Sequence, residues 1–250
     1  MAIALITGTS SGLGEACGRE FINRGIGIAS VSRQENLTLK ELAEGENVAY
    51  YHFPLDLSKT DGRELRALAE EIFHLENENL FLINNAGTVK PIAPAGSLVP
   101  EQVSSALKLN YEAPVLLINA LLHGAKERPV KLNMMNITSG AGERAVHGWS
   151  IYGSTKAALN SFTETAALEL ANQGLTHHLN AFSPGIMDTG MQEVIRSASR
   201  EFFDEVENFQ AYKENGQLKE PAEVAECLVA LMTSPTIESG KIYYARDLLK

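Results

Sequence analysis

Residues 5–14 read LITGTSSGLG, an apolar run that breaks into glycines at positions 8, 12 and 14. Such a run before a glycine loop reads as a buried first strand turning into a helix. Gly8 permits a tight turn, Gly12 lets the backbone approach a pyrophosphate, and Gly14 lets helix and strand pack closely. The helix N-terminus adds unpaired N–H groups and the positive end of its dipole. Gly8, Ser10, Ser11, Gly12, Leu13 and Gly14 are therefore candidate cofactor-binding positions. The spacing is TGxxxGxG rather than GxGxxG, and many α/β turns carry glycines for steric reasons alone, so the loop needs agreement from the rest of the chain.

Outward from that loop, short β-rich runs alternate with longer helical patterns. The strand candidates are residues 3–7, 26–32, 48–55, 80–84, 130–137, 176–182 and 241–245, with helical patterns notably at 12–24, 59–75, 101–124, 151–173 and 221–232. Strand alternating with helix means βαβ units. The expected fold class is α/β: a single Rossmann-type doubly wound parallel sheet flanked by helices on both faces. No repeat, low-complexity segment or linker divides the chain, so residues 1–250 read as one domain. Such sheets bind ligands beyond the carboxyl ends of their strands, and functional residues are expected there.

Composition narrows the function. With 44% hydrophobic residues among 250, the chain can bury a substantial core. A formal charge of −10 opposes a phosphate-tracking surface, so no nucleic acid partner is expected. No apolar run approaches the ~18 residues of a membrane span, and MAIALITG lacks a basic leader region; neither membrane attachment nor export is expected, and the assigned location is cytoplasmic. Cys17 and Cys227 read as small buried apolar side chains, and His177-His178 lacks metal-ligand spacing, so no metal is expected.

Residues 152–156 read YGSTK, a tyrosine followed four residues later by a lysine. Chance alone places about 0.3 such pairs in a chain of this composition, so the pair needs context. It has context. NNAG follows the fourth strand at 84–87, NITSGAG follows the fifth and puts Ser139 thirteen positions before Tyr152, Asn110 lies in the helix between them, and PGIMDT occupies 184–189. Together with the glycine loop, these five motifs in order resemble the short-chain dehydrogenase/reductase family over nearly the whole chain.

The resemblance implies a catalytic set of Asn110, Ser139, Tyr152 and Lys156. Hydride passes to a carbonyl carbon while Tyr152 protonates the oxygen, Ser139 polarises it, Lys156 holds the nicotinamide ribose, and Asn110 supports a proton-relay water. Four apart on a helix, Tyr152 and Lys156 share a face, and the ammonium is expected to bring the phenol's pKa down toward neutrality. Ser139 also fits a plain strand-end turn, and Asn110 a helix kink. By resemblance, Asn85, Ala86, Gly87, Pro184, Gly185, Ile186 and Thr189 join the cofactor site, with Asp56 beside the adenine; Asn84, Asn85 and Gly87 also fit purely structural uses.

Cofactor choice rests on the end of the second strand. NAD sites usually carry an acidic residue there, whereas this chain has Ser32 and Arg33, and a guanidinium suits a 2′-phosphate. The expected cofactor is NADPH/NADP+. The substrate is a small-molecule carbonyl compound, with Trp149, Met187, Met191, Ile195, Phe202, Phe203 and Tyr244 as candidate wall residues, although Met and Phe at helical spacing also make ordinary core. The stretches at 188–192, 213–218 and 239–247 resemble the sepiapterin reductase branch, including bacterial relatives that reduce benzil-type diketones. Tyr244 aligns where sepiapterin reductase has a pterin-anchoring aspartate, so a benzil-like diketone is expected before a pterin; were a pterin the substrate, Asp247 is the first candidate anchor. The alternative to an enzyme is an NADP-binding regulatory protein on the same fold. The resemblance also implies a homo-oligomer, dimer or tetramer.

Overall fold

The computed structural model describes residues 2–75 and 78–249. Strands β1 (Ala2–Thr7), β2 (Gly27–Ser32), β3 (Tyr50–Pro54), β4 (Asn79–Asn84), β5 (Lys131–Ile137), β6 (His178–Ser183) and β7 (Ile242–Tyr244) form one sheet in the order β3-β2-β1-β4-β5-β6-β7. Every pairing is parallel. All six β2 residues are buried, as are five of six in β1, which is why the central strands read as unbroken apolar runs. This is the expected Rossmann-type arrangement.

Helices cover both faces. On one side, α1 (Gly12–Asn23), α2 (Leu37–Gly45) and α9 (Pro221–Thr233) pack through Phe21, Ile22, Leu39, Leu228 and Val229. On the other, α3 (Gly62–Phe73), α5 (Ala113–Ala125) and α6 (Ser150–Asn172) bury Leu65, Ile72, Leu117, Leu121 and Leu170 against the sheet. The strand order reverses between β1 and β4, and the crevice beyond their carboxyl ends is where such sheets take ligands.

The structure departs from the sequence expectation in two places. The helix expected over 101–124 is broken: α4 (Pro100–Leu107) gives way to a π-helical turn at Lys108–Glu112 before α5 begins. Pro114 has no N–H to give the carbonyl four residues back, that of Asn110, so a regular ladder cannot run through this point. Four helices were not singled out in the sequence: α2, α7 (Gly190–Arg196), α8 (Val206–Glu214) and α10 (Ala245–Leu248). Each has nine residues or fewer, too short for helical periodicity to declare itself.

Candidate active site

β1 ends at Thr7 and the chain turns at Gly8, where φ is +75°. A Cβ at Gly8 would lie 3.0 Å from the Cα of Ala86, and one at Gly14 would collide with the Gly8 carbonyl oxygen and stand 2.5 Å from Asn85 Nδ2. Asn85 clamps the loop. Its Nδ2 donates to the carbonyls of Thr7 (2.9 Å) and Gly8 (3.2 Å), while the N–H groups of Asn85 and Ala86 both donate to Thr7 Oγ1 at 3.0 Å. Asn84 Nδ2 donates to Asn136 Oδ1 at 3.0 Å, and Asn136 Nδ2 to Thr163 Oγ1 at 2.9 Å, which ties β4, β5 and α6 together. The side chains of both asparagines in NNAG are engaged with the protein itself.

The loop's outer side is built differently. Ser11 is the N-cap of α1 but its side chain makes no capping bond, so the first-turn N–H groups are left for whatever enters the cleft. A Cβ at Gly12 would come within 3.3 Å of Thr189 Cγ2, so the loop faces the segment after β6. At the far end Arg33 is exposed and, among the described residues, makes no side-chain hydrogen bond or ion pair. Ser32 Oγ donates to the Gln34 carbonyl at 2.7 Å. Asp56 Oδ1 accepts from the N–H and the hydroxyl of Ser58, which with Lys59 hold its carboxyl below the ordinary range. A dinucleotide fits this cradle: donors at the loop, a free cation at the end, and a carboxylate already engaged by its own turn.

Tyr152 and Lys156 lie one turn apart on α6, only 8% and 5% exposed. Lys156 Nζ donates to the Ile137 carbonyl at 2.7 Å and stands 5.9 Å from the centre of the Tyr152 ring. Burial pulls the Lys156 ammonium down to about 8 and pushes the Tyr152 phenol above its usual value, with a hydrogen bond from Ser139 opposing the latter. This reverses the expected direction for Tyr152. The ammonium is held on a backbone carbonyl, and desolvation of the phenol outweighs the Ser139 hydrogen bond.

Ser139, two residues past the end of β5 and in extended backbone, caps a 3-10 turn at Gly140–Gly142, its hydroxyl accepting from Ala141 N at 3.2 Å. Two glycines that the sequence reading passed over bring this turn onto α6. A Cβ at Gly142 would stand 2.9 Å from the Ala157 nitrogen, and one at Gly153 would stand 2.8 Å from the Ala141 oxygen. Asn110 stands behind the cleft, 1% exposed. Its Oδ1 accepts from Thr88 N (2.8 Å), and its Nδ2 donates to Thr88 O (2.8 Å) and Thr155 Oγ1 (3.2 Å). Its side chain thus fixes the loop after β4 to α6.

One cleft of about 980 Å³ brings these parts together. Gly8, Ser10 to Leu13, Arg33, Asp56, Asn85 to Gly87, Ser139, Tyr152, Lys156, Pro184 to Ile186 and Thr189 line it; Gly14 and Asn110 lie behind its wall. At the substrate end Trp149, Met187, Met191, Ile195 and Tyr244 line it as expected, joined by Val89, Leu109, Val194 and Phe209. Phe202 and Phe203 are corrections. Phe203 is fully buried beneath Trp149, ring centres 4.8 Å apart, and Phe202, 37% exposed, borders a separate depression beside Pro91. Met187, Met191, Val194, Ile195 and Phe209 come from one excursion over 184–220 between β6 and α9, closed by backbone hydrogen bonds between Lys219 and both Ile186 and Asp188, and sequence spacing carried little of it. Tyr244 donates to Glu143 Oε1 at 2.8 Å, tying the C-terminal segment to the turn after β5.

Comparison with known proteins agrees with this geometry. The family model described as short chain dehydrogenase matches residues 2–200. The chain belongs to the short chain dehydrogenase family. A benzil reductase ((S)-benzoin forming) of Bacillus cereus is 36% identical, covering 97% of this chain and 98% of that relative. A diacetyl reductase [(S)-acetoin forming] of Staphylococcus epidermidis is 30% identical, covering 92% of this chain and 91% of its own. Among solved structures, the KRED1-Pglu enzyme superposes with a TM-score of 0.84 at 26% identity, over 97% of this chain and 100% of that one. This short chain dehydrogenase is an oxidoreductase acting on a carbonyl or its alcohol. Among its described residues no helix is long and apolar enough to cross a membrane.

Proposed function

We propose that this short chain dehydrogenase uses NADPH to reduce one carbonyl of an apolar, aromatic vicinal diketone. The observation that carries the reading is one continuous cleft with a partner-free Arg33 at one end and, at the other, the Ser139–Tyr152 pair walled by Trp149, Met187, Met191 and Ile195. The guanidinium suits a 2′-phosphate, and Glu35, the nearest carboxylate past β2, is engaged with Lys40 at 3.3 Å. The relatives named for vicinal diketones, benzil and diacetyl, support the substrate class.

A nicotinamide cofactor in this cleft supplies the hydride for the carbonyl carbon. Ser139 and Tyr152 hydrogen-bond the carbonyl oxygen and stabilise the charge that develops there. Burial keeps the Tyr152 phenol protonated at neutral pH, so the donor is loaded when that oxygen becomes strongly basic. Lys156, still mostly protonated at pH 7, then faces the phenolate left behind. Asn110 positions α6 and the loop after β4 and stays out of contact with the substrate.

The test is NADPH oxidation with benzil and analysis of the product. One NADPH consumed per benzoin formed is expected, and Tyr152→Phe should reduce the rate by ~10²–10⁴ while still binding NADPH. Absence of benzoin with the wild-type protein, or wild-type turnover in the variant, contradicts the reading.

A further inference from the structure

We propose that α8 is a bar pinned across the substrate end of the cleft by two ion pairs, Arg144–Glu205 and Asp188–Lys213. The pins position Phe209 against a substrate ring and so make the site prefer diketones with aromatic groups over small aliphatic ones. The inference rests on the proposed diketone reduction. Phe209 lines the cleft from near the middle of α8, its ring centre 5.5 Å from those of both Trp149 and Phe203. Glu205 is the N-cap residue of the helix, Phe209 N donates to its carbonyl at 3.1 Å, and Lys213 follows one turn later. Carboxylate, ring and ammonium therefore fall along one side of α8.

The two pins reach different parts of the site. Arg144 follows the turn that Ser139 caps, and its guanidinium forks Glu205: Nη1 donates to Oε1 at 2.6 Å and Nη2 to Oε2 at 2.9 Å. At the other end Lys213 Nζ donates to Asp188 Oδ2, and Asp188 stands between the cleft-lining residues Met187 and Thr189. The N-terminal end has further contacts. His147 Nδ1 lies 3.1 Å from Asp204 Oδ1, and Gly148 comes so close that a Cβ there would collide with the Phe202 carbonyl oxygen. Lys213 is therefore the pin whose removal should show most. Its side chain is 49% exposed, so its loss opens no buried cavity and leaves Asp188 in contact with water. An aromatic pair in good geometry is worth roughly two- to tenfold in affinity. The rings of benzil can make that contact with Phe209; the methyl groups of diacetyl cannot.

The experiment measures KM and kcat for benzil and for diacetyl at saturating NADPH and low salt, in wild type, Lys213→Met and Lys213→Arg. Lys213→Met should raise KM for benzil about fivefold, the upper end for a partly exposed ion pair, with kcat for benzil and KM for diacetyl within about twofold of wild type. Lys213→Arg can remake the pair with Asp188 and should return KM for benzil to near the wild-type value. A mere loss of folded protein lowers kcat for both substrates alike and leaves KM where it was. Salt gives a second readout: ~1 M NaCl should raise KM for benzil in wild type by screening the pins, and less so in Lys213→Met. An unchanged KM for benzil in Lys213→Met, an equal change for diacetyl, Lys213→Arg behaving like Lys213→Met, or the same salt effect in Lys213→Met as in wild type each overturns the proposal while benzil reduction by the wild-type protein stands. If the wild-type protein does not reduce benzil, the proposed function fails and this inference fails with it.

Discussion

The two ends of the cleft are held together in different ways. At the glycine loop the polar side chains of Thr7 and Asn85 are bonded to neighbouring backbone, and two of three glycines sit where a methyl group would strike the next segment. At the substrate end the wall is a cluster of rings around Trp149, and buried polar atoms of Trp149, Gln192 and Arg196 lack partners among the described residues. The first end is a rigid cradle for one chemical shape. The second is a packed apolar wall of interlocking rings, which suits a range of apolar shapes.

The same substitution should therefore cost far more at one end than at the other. Gly14→Ala forces a methyl group into the Gly8 carbonyl and the Asn85 amide, and should cost about 3 kcal/mol or more in urea unfolding. Gly190→Ala meets open space and should change stability by less than about 0.5 kcal/mol. Equal costs would erase the contrast between cradle and wall.

The legibility of the sequence follows the same line. Gly8, Gly12, Gly14 and Asn85 were singled out because backbone turns and close approaches demand particular residue types just after a strand, and Ser139, Tyr152 and Lys156 because their motifs in order resemble a known family. The wall resisted because any apolar residue of suitable size can fill a ring cluster. Phe202 and Phe203 read alike in sequence, yet one is in solvent and the other beneath Trp149. The direction of the Tyr152 shift was also illegible, since spacing shows which groups are near one another but not how deeply they are buried. Gly142 and Gly153 did carry a signal: a glycine in the turn and another on the helix mark where the turn after β5 touches α6.

Arg33→Ala sharpens the account of the cradle. It should weaken NADPH by roughly 1.5–3 kcal/mol, the value of a hydrogen bond to a charged group, and leave NADH little changed. Equal losses for both cofactors would reduce Arg33 to a surface charge.

The smallest effect concerns Lys156, whose buried ammonium has a folded pKa of about 8 against an ordinary 10.5. Between those values the unfolded chain binds more protons than the folded one, so the lysine's burden on stability is full below pH 8 and lifts as pH rises toward 10.5. Lys156→Met should be more stable than wild type at pH 7 by about 1 kcal/mol, and that advantage should shrink at pH 9.5. A difference independent of pH would contradict the burial of a charged lysine beside Tyr152.

The most direct test of the account is a side-by-side determination of kcat/KM for benzil and for sepiapterin with NADPH. A pterin brings several N–H donors into a wall whose carboxylates are poorly placed to receive them: Glu101 is exposed on the cleft margin, Asp247 is exposed and beside Arg246, and the Tyr244 hydroxyl already donates to Glu143. The apolar wall around Trp149 favours two aromatic rings, so benzil should be preferred by about tenfold or more. A clearly higher kcat/KM for sepiapterin would contradict the diketone assignment and turn attention to Asp247 as the anchor the wall otherwise lacks.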